Sequence, residues 1–278
     1  MRKLSFLLGF MLLFVQPLRA DVLVLVHGYV SDARTWVVHG VLPVLAANGW
    51  QPAGVLETIA NGQVLGLQPL QGERLVYRAN LPASAPLLIQ AQQLAAQLAA
   101  VRERYPHERL ILAGHSAGGV VARMQVLNGN PYRVDSLITI ASPHLGTPQA
   151  ANGLELVDFN PFFCPGPGLE FMKSLLGGSA YDTLKYSRAA LIDLLPMRSG
   201  SLLAWLNRQP HAAIHYYAVV RTGAMGMGDG LVPAYSQDLN NVPALRGRAR
   251  VIPIPAGHTL NPADGRLLAD LLWQAQSF

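Results

Sequence analysis

The pattern Gly114-His115-Ser116-Ala117-Gly118 constrains this chain more than any other stretch. It follows Leu110-Ile111-Leu112-Ala113, an apolar run too short for a helix of its own and suited to a buried strand. It precedes Val120, Val121, Met124 and Val126, which suit a helix with a buried face. A strand that reverses this sharply into a helix forces its apex residue into a strained backbone conformation. Glycines on either side remove the side chains that would clash. The Ser116 hydroxyl is then presented beside a helix N-terminus, where backbone N–H groups are unpaired and the dipole is positive. A nucleophile with an adjacent anion site belongs at such a turn. The competing reading is a glycine-rich turn with a capping serine; the strand before and the helix after favour the nucleophile.

The elements around this turn alternate. Residues 22–26 form a valine-rich apolar run, as a parallel strand covered on both faces requires. Residues 37–50 read as a helix whose regular part begins near Pro43 and stops at Asn48-Gly49. Residues 55–68 read as a hairpin around Asn61-Gly62, and residues 74–78 as a short strand. Leu87, Leu88, Ala91, Leu94, Ala95, Leu98 and Val101 recur at helical spacing within a helix over residues 87–104, stopped by Pro106. Further strands are expected over 134–140, 214–220 and 250–254. A closing helix over 261–276 has Asn261 as its cap and Pro262 at its first position. Between residues 149 and 210 the pattern changes. This apolar insertion contains a stretch around Asn160-Pro161 that suits no regular element, with helices plausible over 181–195 and 201–207. It reads as a lid or cap.

Strands alternating with helices give an α/β fold, a doubly wound and mostly parallel sheet. Ligands in such sheets bind beyond the carboxyl ends of the strands. His27, Ser116, His144, Asp229 and His258 all lie at or beyond such ends.

A serine hydroxyl is a poor nucleophile near neutral pH; it needs a base, and the base needs an orienting partner. Serine, then acid, then a histidine near the C-terminus is the α/β-hydrolase order, which here selects Ser116, Asp229 and His258. Asp238 is the main rival to Asp229. The oxyanion would take one backbone N–H from Ala117 and another from Tyr29, after the first strand. His115 reads as packing beside the turn and His144 as structural. His39, His107, His211 and His215 belong to no constellation. The glycines between Gly223 and Gly230 lack the following helix and lysine of a phosphate cradle.

Composition narrows the setting. Arg2 and Lys3, an apolar run from Leu4 to Val15 and the small residue Ala20 describe a secretory signal peptide over residues 1–20, with an uncleaved anchor as the runner-up. The mature α/β domain would span residues 21–278, exported to the periplasm or beyond. Removing Arg2, Lys3 and Arg19 from 21 basic residues leaves 18 against 16 acidic ones, so the basic balance owes much to the leader. No basic run with interleaved aromatics points to nucleic acid. Cys164 is the only cysteine, so neither an intramolecular disulfide nor a cysteine-rich metal site can form. No cofactor is expected.

Val26-His27-Gly28-Tyr29, the turn from Gly114 to Gly118, Ser142-Pro143-His144-Leu145-Gly146-Thr147-Pro148 and Asp229-Gly230-Leu231-Val232 together resemble the bacterial lipase and esterase branch of the α/β-hydrolases. Asp193-Leu194-Leu195-Pro196, with residues 202–207, is similar to the segment beside the lid in these enzymes. The resemblance implies carboxylic-ester hydrolysis outside the cytoplasm, with an apolar lid over an acyl-binding cleft and an acyl ester or lipid interface as partner. Many members carry an aspartate two residues after the catalytic histidine, serving a structural calcium. Leu260 stands there, so no metal site is expected. A thioesterase, a lipid deacylase or an acyltransferase would use the same triad. A non-catalytic binding protein of the same fold would need none of it.

Overall fold

The computed structural model describes residues 21–68, 70, 72–158, 186–223 and 226–274. The expected signal peptide, Cys164 and the middle of the inserted segment lie outside the described residues.

Among the described residues, eight strands form one sheet. They are β1 (Asp21–Val26), β2 (Gln51–Thr58), β3 (Val64–Leu65), β4 (Arg74–Asn80), β5 (Arg109–His115), β6 (Val134–Ile140), β7 (His215–Arg221) and β8 (Ala249–Ile254). Their spatial order is β3-β2-β4-β1-β5-β6-β7-β8. Only the β2–β3 pair is antiparallel, closing the hairpin expected at Asn61-Gly62. The helices are α1 (Thr35–Val38), α2 (Val41–Ala47), α3 (Leu87–Arg104), α4 (Ala117–Met124), α5 (Pro148–Asp158), α6 (Arg188–Asp193), α7 (Leu202–Leu206), α8 (Ala234–Gln237) and α9 (Pro262–Gln274).

Every residue of β1 is buried, and the period-two alternation of a strand divides its side chains between the faces. Val22, Val24 and Val26 pack with Leu94 and Leu98 of α3 and Val120 and Val121 of α4. Leu23 and Leu25 pack with Val41 and Leu45 of α2 and Leu268, Leu271 and Leu272 of α9. Each such leucine contributes roughly 1.5–3 kcal/mol when fully buried. With both faces covered, functional groups are left to the strand ends.

Two expectations are corrected. The helix expected over residues 37–50 is broken into α1 and α2, because Gly40 between them has φ +75°, which a continuous helix does not allow. The strand at residue 55 begins earlier, at Gln51; Pro52 is accommodated by a shift of register between Pro52 and Gly54.

The entry to α9 is held from two sides. Asn261 Oδ1 accepts from the Ala263 N–H and Asp264 Oδ2 accepts from the Asn261 N–H, both at 2.9 Å, a reciprocal cap. The other carboxylate oxygen of Asp264 takes the guanidinium of Arg221, at the end of β7, in an ion pair with both side chains 1 % exposed. Asp264→Ala, which strands a buried cation, is expected to cost about 3–5 kcal/mol in urea unfolding, and Arg221→Met in the same chain should recover most of it.

Candidate active site

Ser116 has φ +52° and ψ −130°, a conformation that costs a non-glycine residue about 1–3 kcal/mol. It persists because its surroundings leave no alternative. The Ser116 N–H donates to the Ile140 carbonyl at 2.8 Å, tying the turn to the end of β6. A Cβ on Gly118 would lie 2.1 Å from the His27 carbonyl oxygen, and one on Gly114 would lie 2.5 Å from the Gly119 Cα. Any side chain at these positions would push strand and helix apart.

The other groups arrive from β7 and β8. His258 lies in the loop between β8 and α9, with its Nε2 2.9 Å from Ser116 Oγ. Its Nδ1 lies 2.8 Å from Asp229 Oδ2, in the loop after β7. Since a carboxylate only accepts, Nδ1 carries the proton and Nε2 presents its lone pair to the serine hydroxyl. Asp229 is itself held by the Leu231 and Val232 N–H groups, which donate to Oδ1 at 2.9 and 2.7 Å. The sequence reading missed Gln237, whose amide N–H donates to Asp229 Oδ2 at 3.2 Å and to the Val232 carbonyl at 2.8 Å. Its amide oxygen accepts from the Arg221 N–H at 2.6 Å. A buried glutamine near a candidate acid has no local sequence signature. Asp238, the rival acid, caps the turn that follows it by accepting from the Asn240 N–H at 2.8 Å.

The turn after β1 lies against the serine. A Cβ on Gly28 would stand 3.0 Å from Ser116 Cβ, so the turn that leads into Tyr29 lies against the serine. The Tyr29 hydroxyl shares a hydrogen bond with the Ser187 hydroxyl just before α6, and burial raises its pKa. Ala117 is the first residue of α4, whose N–H has no acceptor within the helix.

The remaining strand-end histidines do not join this chain of contacts. The Leu81 N–H donates to His27 Nε2 at 3.0 Å, bracing β1 against the end of β4. His144 Nε2 stands 3.2 Å from Thr139 Oγ1 and the residue is fully buried. His211 is also buried, beside Arg123, whose Nη2 donates to Asn207 Oδ1 at 2.6 Å. Burial pushes the Arg123 guanidinium down to about 9 and His211 down to about 4. A cavity of about 290 Å³ lined by Pro148, Gln149, Met227, Leu231 and Val232 lies beside the acid loop, but Ser116, His258 and Tyr29 do not line it. Leu260 is buried in the core with α9, and no cluster of three metal-ligating side chains occurs among the described residues.

The architecture has counterparts. The lin2722 gene product of Listeria innocua covers 91 % of this chain and 94 % of its own at 15 % identity and a TM-score of 0.60. The mature form of the Bacillus licheniformis lipase BlEst2 covers 93 % of this chain and 92 % of its own at 15 % identity and a TM-score of 0.54. The metagenomic carboxyl esterase MGS0156 covers 94 % and 77 % at 14 % identity and a TM-score of 0.51. The chain has the α/β-hydrolase fold. A family model described as a PGAP1-like alpha/beta domain matches residues 84–160, the part of that fold from α3 through the serine turn to α5. No curated protein matches the chain.

Asp229→Asn should lower turnover of a substrate by about 10⁴-fold while Asp238→Asn leaves it within a few fold, read by steady-state kinetics on both variants. Burial holds His115 and His144 well below the usual histidine range and His211 at about 4. These rings stay neutral in the folded chain, so as pH falls through 6.5 the unfolded chain takes up protons first. Folding stability is therefore expected to hold above 6.5 and to fall progressively toward about 4, seen as decreasing urea midpoints.

Proposed function

We propose that the protein is a serine hydrolase that cleaves carboxylic esters through an acyl-enzyme, with acyl lipids or related esters as substrates. One observation carries the reading. Ser116 Oγ, the two ring nitrogens of His258 and Asp229 Oδ2 stand in an unbroken line, with separations of 2.9 and 2.8 Å. A serine that merely capped a helix would need neither partner. The Ser116 side chain also accepts no capping hydrogen bond from α4.

In the proposed reaction Ser116 Oγ attacks the ester carbonyl carbon as its proton passes to His258 Nε2. Asp229 holds the Nδ1 proton and opposes the positive charge on the ring. The carbonyl oxygen becomes an oxyanion facing the Ala117 and Tyr29 N–H groups, each donor worth roughly a hundredfold or more in rate. When the C–O bond breaks, the alkoxide takes the proton from Nε2 and leaves as an alcohol. Water then gives a proton to His258, attacks the acyl-serine and releases the carboxylic acid, and Ser116 recovers its proton. No metal or cofactor enters this scheme.

An apolar substrate is supported by the segment that contacts Tyr29. Tyr186 is 80 % exposed next to Ser187, the partner of Tyr29, and Ile192, Met197 and Trp205 are also exposed. Under this reading residues 149–210 act as the lid, and the leader directs the chain out of the cytoplasm toward a lipid interface. Ser116→Ala is expected to reduce hydrolysis of a chromogenic ester by about 10⁶-fold with an unchanged melting temperature; retained activity would overturn the mechanism. A series of acyl esters above and below the micellar limit separates lipase from esterase behaviour, and a thioester tested beside its oxygen analogue exposes a thioesterase.

A further inference from the structure

His115 ends β5 immediately before the serine, and the scheme above gives it no role. Its Nε2 lies 2.9 Å from the backbone carbonyl oxygen of His258. A carbonyl can only accept, so Nε2 carries the proton and donates, leaving the lone pair of the neutral ring on Nδ1. The two imidazoles lie 5.0 Å apart between centroids, tilted by 48°.

The importance of this bond follows from what surrounds it. The loop between β8 and α9 has no regular structure. Among the described residues, the bond from His115 is the hydrogen bond made by the backbone of residues 257–259. Asp229 fixes the rotation of the His258 ring through Nδ1, but rotation alone does not set how far the ring stands from the serine. That distance depends on where the loop backbone rests, and His115 holds it. Because His115 and Ser116 are consecutive, the base is tied to the same short piece of backbone that carries the nucleophile.

Charge matters as well as geometry. The titratable and charged groups facing His115 are His258, Arg221, which is paired with Asp264, and His39. Burial first, with the adjoining Arg221 guanidinium also opposing a second positive charge, lowers the pKa of the ring and keeps it neutral. A lysine or arginine in its place could donate to the same carbonyl, but would set a permanent cation beside the imidazolium that forms during acyl transfer.

We propose that His115 is a positioning residue, a neutral N–H donor that holds the base-bearing loop on the nucleophile's own strand. The proposal rests on the serine-hydrolase reading. It is tested with His115→Gln, whose amide N–H can reach the position of Nε2, against His115→Met, which has nearly the same shape and no donor. The readouts are the rate at which an alkyl fluorophosphonate modifies Ser116 and the separate kcat and KM for a soluble ester. The expected result is a loss of about tenfold or more in modification rate and kcat for His115→Met, with KM within about twofold, and recovery to within about threefold in His115→Gln. His115→Phe, which keeps a ring and lacks the donor, should behave as His115→Met and serves if that variant does not fold. Wild-type reactivity in the variants without a donor, or equal loss in His115→Gln, would overturn the proposal while leaving the hydrolase reading intact. Failure of the unaltered protein to react at Ser116 would instead remove the reading on which it rests.

Discussion

The close approach between the serine turn and the first strand governs the rest of the site. The path from β5 into α4 turns at one residue, Ser116, and runs so near the end of β1 that Gly118 rests against the His27 carbonyl. This contact holds the strained Ser116 backbone, turns its hydroxyl outward and sets the Gly28–Tyr29 turn beside it. Strain of this kind survives only where packing over-determines it. Here the packing is a central strand buried on both faces between two helical layers.

Asp229 and His258 are brought to the serine from the ends of strands that are not its neighbours in sequence. A buried polar network does this. Asp264 at the start of α9 pairs with Arg221 at the end of β7, the Arg221 backbone exchanges hydrogen bonds with the Gln237 amide, and that amide reaches Asp229. The network ties the helix after His258 to the strand and loop that carry Asp229. In a low-dielectric interior each member loses much if its partner is removed, which makes such a network rigid as well as costly to disturb.

Much of the fold was legible because its elements carry strong local signals. Leucines and alanines at helical spacing marked α3, and the apolar run of β6 was bounded as observed. The break at Gly40 was not legible, since a glycine in an apolar pattern is compatible with a helix until its positive φ is seen. The start of β2 was hidden at Gln51 and Pro52, since proline is a poor strand residue and is carried here by an irregular register. In the site, the chain order singled out Ser116 and His258, while Asp229 and Asp238 both follow the same strand before that histidine. They differ in what they face. Asp229 meets an imidazole and a glutamine, whereas Asp238 meets the backbone of its own turn. Gln237 and the His115 bond to the base loop had no signal, because both act across elements far apart in the chain.

By itself, the sequence determined the class of sheet, the turn that exposes a serine and the order in which an acid and a histidine follow. Those are local properties, set by the period of apolar residues, by glycine at a crowded turn and by the polarity of strand ends. Only the tertiary structure decided which acid meets the histidine, that His115 and Gln237 hydrogen-bond to the two loops, and that His27 and His144 make their contacts away from that line. These are questions of distance and direction between side chains from different strands. They are settled by the sheet order β5-β6-β7-β8 and the packing of α9 against β7, which no stretch of the chain encodes alone.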